Sequence, residues 1–208
     1  MKYNLLLFKN LFFKKILKFY ILWFILILVY LTIDFKAADC HLLVLGLNKI
    51  VFYDQIRDLI KVIGIVTVIY STISFYFYDF YRNAEFMLLR EKSNKYLFKK
   101  ILAILIYNIL IKALLLVVIC IIFKQALSLN YIILGIINIT LITLMTISLV
   151  NFYARQNYII TILIIIMFGY NLFFQISSII FGIAIIILLL LLNYFYYSTQ
   201  KVYNKFIR

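Results

Sequence analysis

The feature that most constrains this chain is a succession of six apolar stretches, the longest of which can cross a lipid bilayer. A transmembrane helix needs about 20 predominantly apolar residues. The stretch at 101–123 meets this requirement with a single charged residue, Lys112, and five others follow the same pattern. The spans predicted in this way are 19–33, 61–78, 101–123, 131–152, 158–173 and 179–197.

The composition supports a membrane protein. Of the 208 residues, 67% are hydrophobic and 13% are charged, whereas soluble domains average about 45–50% apolar and about 25% charged residues. The excess excludes a water-soluble enzyme, a nucleic-acid-binding module and a disordered tail. We therefore expect an all-α fold, a polytopic transmembrane helical bundle in which residues 1–208 form a single domain.

The basic residues predict the orientation of the bundle. The chain carries a net charge of +14; fifteen Lys and Arg residues fall in the predicted inner segments and five in the outer ones. Lys and Arg accumulate on the cytoplasmic side of membrane spans. We therefore expect six spans with both termini cytoplasmic, in a cell membrane of bacterial plasma-membrane type. The basic segment 1–18 is expected to lie at the membrane interface, with its lysines reaching the headgroups.

The longest predicted outer segment, 34–61, has no net charge. Its apolar part, 42–53, is too short to cross, so it either lies on the outer interface or re-enters the membrane. Asp39, Cys40 and His41 offer three metal-ligand types, but a closed zinc site needs about four ligands. A solvated loop is therefore expected here. Cys40 and Cys120 are expected to remain two separate thiols.

The sequence shows no catalytic constellation. It contains no GxxxxGK[ST] phosphate-binding motif, and its only histidine lies in a predicted outer segment. No carboxylate falls in the middle of a predicted span, which excludes an intramembrane aspartate pair. We expect that the chain is not an enzyme and binds neither a cofactor nor a metal.

Lys112 is the most distinctive single residue of the predicted spans. It lies about 16 Å from either end of its helix, where a lysine costs roughly 3 kcal/mol on insertion scales. Asn108 is one turn earlier on the same face. One interpretation is that this face lines a pathway and attracts an anionic group on the cargo. The other is that Lys112 bonds to carbonyls or polar side chains of neighbouring helices, such as Asn138 or Thr140.

The inner loop at 79–100 is the most charged stretch of the chain. Ser93 can cap a short helix in which Tyr96, Leu97 and Phe98 stand among lysines. Such a segment suits either the membrane surface or a groove on a cytoplasmic partner. A basic loop that only fixes the topology is the alternative.

The basic N-terminus, the six spans and the loop sequence EFMLLREKSNKYLFKKIL resemble an ABC-2-type transporter permease, the membrane half of an ATP-driven ABC exporter. In that family the loop between the second and third spans has a carboxylate near a Leu-Leu pair, a polar turn, and a helix that enters the third span after a lysine. The residues at comparable places here are Glu85, Leu88, Leu89, Ser93, Phe98 and Lys100.

The resemblance implies two protein partners besides the membrane lipids: a cytoplasmic subunit that binds ATP and Mg, and a second permease half in a homodimer or heterodimer. The residues that it implies for coupling to the ATPase are Glu85, Arg90, Lys92, Ser93, Lys95, Tyr96 and Phe98. The implied cargo is hydrophobic or amphipathic, with antimicrobial or cytolytic peptides first. The alternatives are a stand-alone membrane immunity protein and a substrate-capture subunit of an importer.

Overall fold

The part of the chain that the structure describes is built from helices. The computed structural model describes residues 16–34, 36–45, 55–82, 94–153 and 179–195. Its helices are α1 (Leu17–Ile33), α2 (Ala37–Leu45), α3 (Gln55–Arg82), α4 (Asn94–Ile122), α5 (Leu129–Tyr153) and α6 (Ile179–Phe195). Within these ranges there is no strand, which confirms the all-α prediction for the described residues.

Three helices are long and apolar enough to cross a membrane. They contain the segments Gln55–Tyr76, Leu97–Ile122 and Leu129–Val150. The apolar helices Leu17–Ile33 and Gly182–Tyr194 are shorter. These findings indicate a membrane protein. The predicted fifth span at 158–173, residues 1–15 of the N-terminal segment and residues 83–93 of the inner loop lie outside the described residues.

Helix α5 is the central element of the described bundle, because it packs against α2, α3, α4 and α6. Helix α1 contacts α2 and α3 instead. A short turn at 123–128 joins α4 to α5. We call this end of the bundle the turn end, and the end at which α4 begins the loop end.

The turn end begins with a Schellman motif at the C-terminus of α4. The Gln125 N–H donates to the Cys120 carbonyl at 2.8 Å and the Lys124 N–H donates to the Ile121 carbonyl at 3.3 Å, which is the paired bonding of that motif. Lys124 takes the left-handed conformation, with φ 52°, at the position where glycine is usual. The connection from α4 to α5 is therefore tight, although it contains no glycine.

The short helix α2 corrects the prediction for 39–41. Cys40 and His41 are buried, as are Leu42–Leu45, and the helix packs against α3, α4 and α5. A solvated loop is therefore wrong for Cys40 and His41. Since residues 40–45 are consecutive and all buried, this part of the helix is covered by protein on every side.

Helix α3 begins earlier than the apolar pattern indicates. The predicted span starts at Lys61, whereas the helix starts at Gln55. Lys61 Nζ lies 3.1 Å from Asp58 Oδ1, one turn away, and both side chains are buried. Since the two charges neutralise each other within the helix, the helix continues past the end of the apolar run.

The bundle exposes apolar side chains and encloses a set of polar side chains within a largely apolar core. The exposed face of α4 repeats at intervals of about four residues and carries Leu102, Ile106, Leu110, Leu114 and Ile121. The buried polar side chains include Thr67, Ser71, Thr72, Asn108, Lys112, Asn138, Thr143, Thr146 and Asn193. Apolar side chains are favourable against lipid, whereas polar groups at the depth of the hydrocarbon must find hydrogen-bond partners within the protein. This arrangement positions the candidate site in the interior.

Candidate functional site: the polar interior

The central polar cluster consists of Ser71, Thr72, Asn108 and Thr143, and all four residues are fully buried. The Ser71 hydroxyl donates to Asn108 Oδ1 at 2.8 Å. Asn108 Nδ2 donates to Thr72 Oγ1 at 2.9 Å and to Thr143 Oγ1 at 3.1 Å. One amide therefore joins α3, α4 and α5 near the middle of the bundle, with both ends of its side chain bonded.

Lys112 lies one turn from Asn108 toward the turn end, and 3% of its surface is exposed. Its ammonium donates to the Gly64 carbonyl at 3.4 Å and lies 3.3 Å from the centre of a Trp23 ring. An aromatic face attracts a cation, more strongly where water is excluded. In the described part of the chain no carboxylate oxygen lies within 4 Å of this ammonium.

Lys112 contacts a backbone carbonyl and an aromatic ring. Its described contacts do not include Asn138 or Thr140, the two side chains that the sequence suggests. Asn138 Nδ2 donates instead to the Leu45 carbonyl at 2.9 Å, and the Thr140 hydroxyl donates to the Ile136 carbonyl at 2.7 Å. The carbonyl contact agrees with the second interpretation of Lys112. The role of Asn108 and Lys112 in a transport pathway stays a prediction.

Trp23 connects α1 to this site. Its indole Nε1–H donates to the Ile60 carbonyl at 3.0 Å. A Cβ added at Gly64 would lie 2.8 Å from Trp23 Cζ2, so α3 accepts the indole only because residue 64 has no side chain. Sequence reasoning missed Trp23 and Gly64. The available signal was that this tryptophan is the only one in the chain.

At the loop end, side-chain contacts join neighbouring helices. Lys100 Nζ donates to the Tyr76 carbonyl at 3.4 Å, which joins α4 to α3. The rings of Phe98 and Tyr194 meet edge to face with centres 5.8 Å apart, which joins α4 to α6. Asn193 Nδ2 donates to Ser148 Oγ at 2.8 Å, which joins α6 to α5. The described helices are thus tied together where the inner loop enters α4.

Of the predicted coupling residues, Phe98 is the one whose side-chain contacts the structure describes. Lys95 and Tyr96 lie in the first turn of α4. The remaining four lie outside the described residues: Glu85, Arg90, Lys92 and Ser93. Their proposed contact with an ATPase stays a prediction, as does that of the three residues in α4.

At the turn end, α2 is bonded to α5 at two levels. His41 Nε2 accepts the Ser128 N–H at 3.2 Å, and the imidazole lies 5.3 Å from the Tyr131 ring between centres. Burial lowers the pKa of His41. The second bond is the one from Asn138 to the Leu45 carbonyl. Because Ser128 precedes α5 and Asn138 lies well inside it, α2 enters the bundle from the turn end. Residues 42–45 therefore lie within the described bundle, and the choice between an interfacial and a re-entrant segment 42–53 stays a prediction.

In the residues that the structure describes, no three His, Cys, Asp or Glu side chains gather into a group that could hold a metal. Cys40 and Cys120 are both buried and are not joined by a disulfide, as the sequence predicts. A search among known protein families, curated proteins and solved structures finds no match to this chain.

Proposed function

We propose that this chain is the permease subunit of an ATP-driven ABC exporter of the ABC-2 type. In this proposal six spans cross a cell membrane, the plasma membrane of a bacterium, with both termini in the cytoplasm. A separate cytoplasmic subunit binds and hydrolyses ATP with Mg, and this chain has no catalytic role. A second permease half completes the transporter.

The observation that carries the proposal is the bracing of the loop end. The inner loop leads directly into α4, and Phe98 and Lys100 connect the first turns of α4 to Tyr194 and Tyr76. A displacement of this loop would therefore move α3, α4 and α6 together. Such a rigid connection is what transmission from an ATPase to the membrane helices requires.

The filled interior supports a pathway between two copies or halves. Asn108 has three hydrogen bonds, and Lys112 is covered by Trp23 and the α3 backbone. A cargo that crossed through the centre of this conformation would have to break these contacts. The exposed apolar face suits a hydrophobic or amphipathic cargo that enters from the cytoplasm or the inner leaflet, and we propose antimicrobial or cytolytic peptides first.

Site-specific cross-linking tests the coupling. A cysteine replaces Asn94 or Tyr96 in a Cys40→Ala/Cys120→Ala background, and the protein is purified in mild detergent with its native partners. We expect a cross-link to a co-purified ATP-binding subunit that changes in yield between nucleotide states. The matched control is Ala126→Cys, in the exposed turn at the other end of α4, which should give no such cross-link.

The cross-linking tests the first alternative, and ligand binding and subunit pairing test the second. A stand-alone immunity protein would purify without an ATPase, and cysteines at 94 and 96 would form no cross-link in any nucleotide state. A substrate-capture subunit of an importer would hold its ligand near the outer face without pairing with a second permease half. Either result would contradict the proposal.

A further inference from the structure

His41 has a hydrogen bond that only the neutral imidazole can make. A backbone N–H donates, so Nε2 must offer a lone pair, and the ring proton then lies on Nδ1. Nδ1 is buried and has no hydrogen-bond partner among the described residues. A second proton would have to bind at Nε2, where the Ser128 N–H already points at 3.2 Å. Protonation and this bond therefore exclude each other.

Besides its apolar packing, two hydrogen bonds described above help to hold α2 in place. At the far end of the helix, Leu45 is seated against Gly135, where an added Cβ would lie 2.7 Å from the Leu45 side chain, and its carbonyl accepts from Asn138. His41 forms the bond at the entrance, next to the turn end. If the entrance bond breaks, the bond from Asn138 and the packing against α3, α4 and α5 remain.

We propose that His41 forms a pH-sensitive contact: protonation of its imidazole at the turn end breaks the bond to Ser128 and releases α2 from its position between α3, α4 and α5. This proposal rests on the membrane topology, which brings the turn end to the aqueous phase outside the cell. It does not rest on the ATPase partner. An acidic exterior would then loosen α2.

The surroundings of His41 favour the neutral state. Tyr131 from α5 contacts the ring. At this end of the bundle Asp58 is paired with Lys61, and Asp34 with Lys36. The charged or titratable groups at this end of the described helices are Tyr30, Asp34, Lys36, Asp39, Cys40, Arg57, Asp58, Lys61, Cys120, Lys124 and Tyr131.

The direction of the pH effect follows from the histidine. Because burial lowers the pKa of His41 in the docked helix, the docked state binds fewer protons than the released state. Docking is therefore at full strength above the usual histidine pKa of about 6.5. It weakens as the pH falls from there toward the lowered pKa of the docked state.

The native Cys40 reports the release, since its side chain is buried when α2 is docked. A Cys120→Ala variant in lipid nanodiscs, with both faces accessible, is labelled with a sulfonated maleimide between pH 7.5 and pH 5. Thiolate chemistry itself depends on pH, so each rate is divided by that of a Cys40→Ala/Cys120→Ala/Ala126→Cys reference. We expect the ratio to rise as the pH falls below about 6.5, the usual histidine pKa, and to be highest at pH 5.

Two further variants make the test specific. In His41→Gln the amide oxygen can accept the Ser128 N–H but does not titrate, so the ratio should stay low at every pH. In Asn138→Leu the inner attachment is lost, so the ratio should be higher at pH 7.5 and still rise in acid. A flat ratio in the protein with native His41 would overturn the proposal, as would an unchanged rise in a folded His41→Gln variant. Neither result depends on export activity or on a bound ATPase.

Discussion

Replacement of Gly64 by alanine tests the contact between α1 and α3. The added Cβ would lie 2.8, 2.9 and 3.0 Å from Trp23 Cζ2, Cε2 and Nε1. The indole has little freedom to withdraw, because Nε1 donates to the Ile60 carbonyl and the ring faces the Lys112 ammonium. The substitution must therefore displace α1 or break the indole hydrogen bond.

The magnitude follows from three terms. Overpacking a filled site costs about 1–3 kcal/mol, and loss of the indole hydrogen bond costs about 1 kcal/mol. Alanine is better than glycine inside a helix by about 1 kcal/mol. We expect Gly64→Ala to lower the free energy of unfolding by a net amount of about 1–3 kcal/mol. For a chain of this size that is a fall in Tm of roughly 3–10 °C.

Thermal unfolding in detergent, followed by far-UV circular dichroism, measures this change. The matched control is Gly64→Ala in a Trp23→Phe background, because phenylalanine lacks the indole Nε1 and the fused ring that carries Cζ2, and so fills less of the space beside residue 64. There the substitution should be neutral or should raise the unfolding free energy by up to about 1 kcal/mol. A higher Tm for Gly64→Ala with Trp23 present would refute the reasoning.

Three further predictions concern single residues. Lys124→Gly should raise the Tm by a few degrees, because it relieves about 1 kcal/mol of left-handed strain; an unchanged or lower Tm would contradict this. Asn108→Leu should lower the unfolding free energy by about 2 kcal/mol, three membrane hydrogen bonds at about 0.6 kcal/mol each, measured by the same denaturation. In the alternative in which Lys112 lines a pathway through the interior, Lys112→Met should leave assembly intact on size-exclusion chromatography and reduce transport of anionic cargo by reconstituted vesicles. Equal transport of anionic and neutral cargo by both proteins would reject a pathway role for Lys112.

The long helices were predictable because lipid imposes a simple rule on a spanning segment. Apolar runs of about 20 residues locate α3, α4 and α5 to within a few residues at most ends. The rule fails where charges are neutralised inside the helix. Asp58 and Lys61 satisfy each other, so α3 extends one and a half turns beyond its apolar run.

The position of α2 was not predictable from its own residues. A short apolar helix has the same composition whether it lies on a membrane surface or enters a bundle. What decides between the two is the partner helix α5. Gly135 leaves room for the Leu45 side chain, and Asn138 Nδ2 donates a hydrogen bond to the Leu45 carbonyl. Both belong to a helix some 90 residues later, and a pattern read along the chain does not reveal that pairing.

The interior site was partly predictable. The cost of a charge at mid-membrane singles out Lys112, and helical spacing places Asn108 beside it. The partners were missed because tryptophan and glycine are ordinary residues in an apolar helix. Their contact depends on the crossing of α1 and α3, which a single sequence does not specify.

The seat of α2 has a consequence for biosynthesis. Its two bonds to the α5 region join residues separated by 87 and 93 positions. When α2 leaves the ribosome, Ser128 and Asn138 have not yet been synthesised. The His41 imidazole and the Leu45 carbonyl therefore lack these partners until most of the bundle has been inserted. Its docking belongs to the late steps of assembly, after the spans around it have come together.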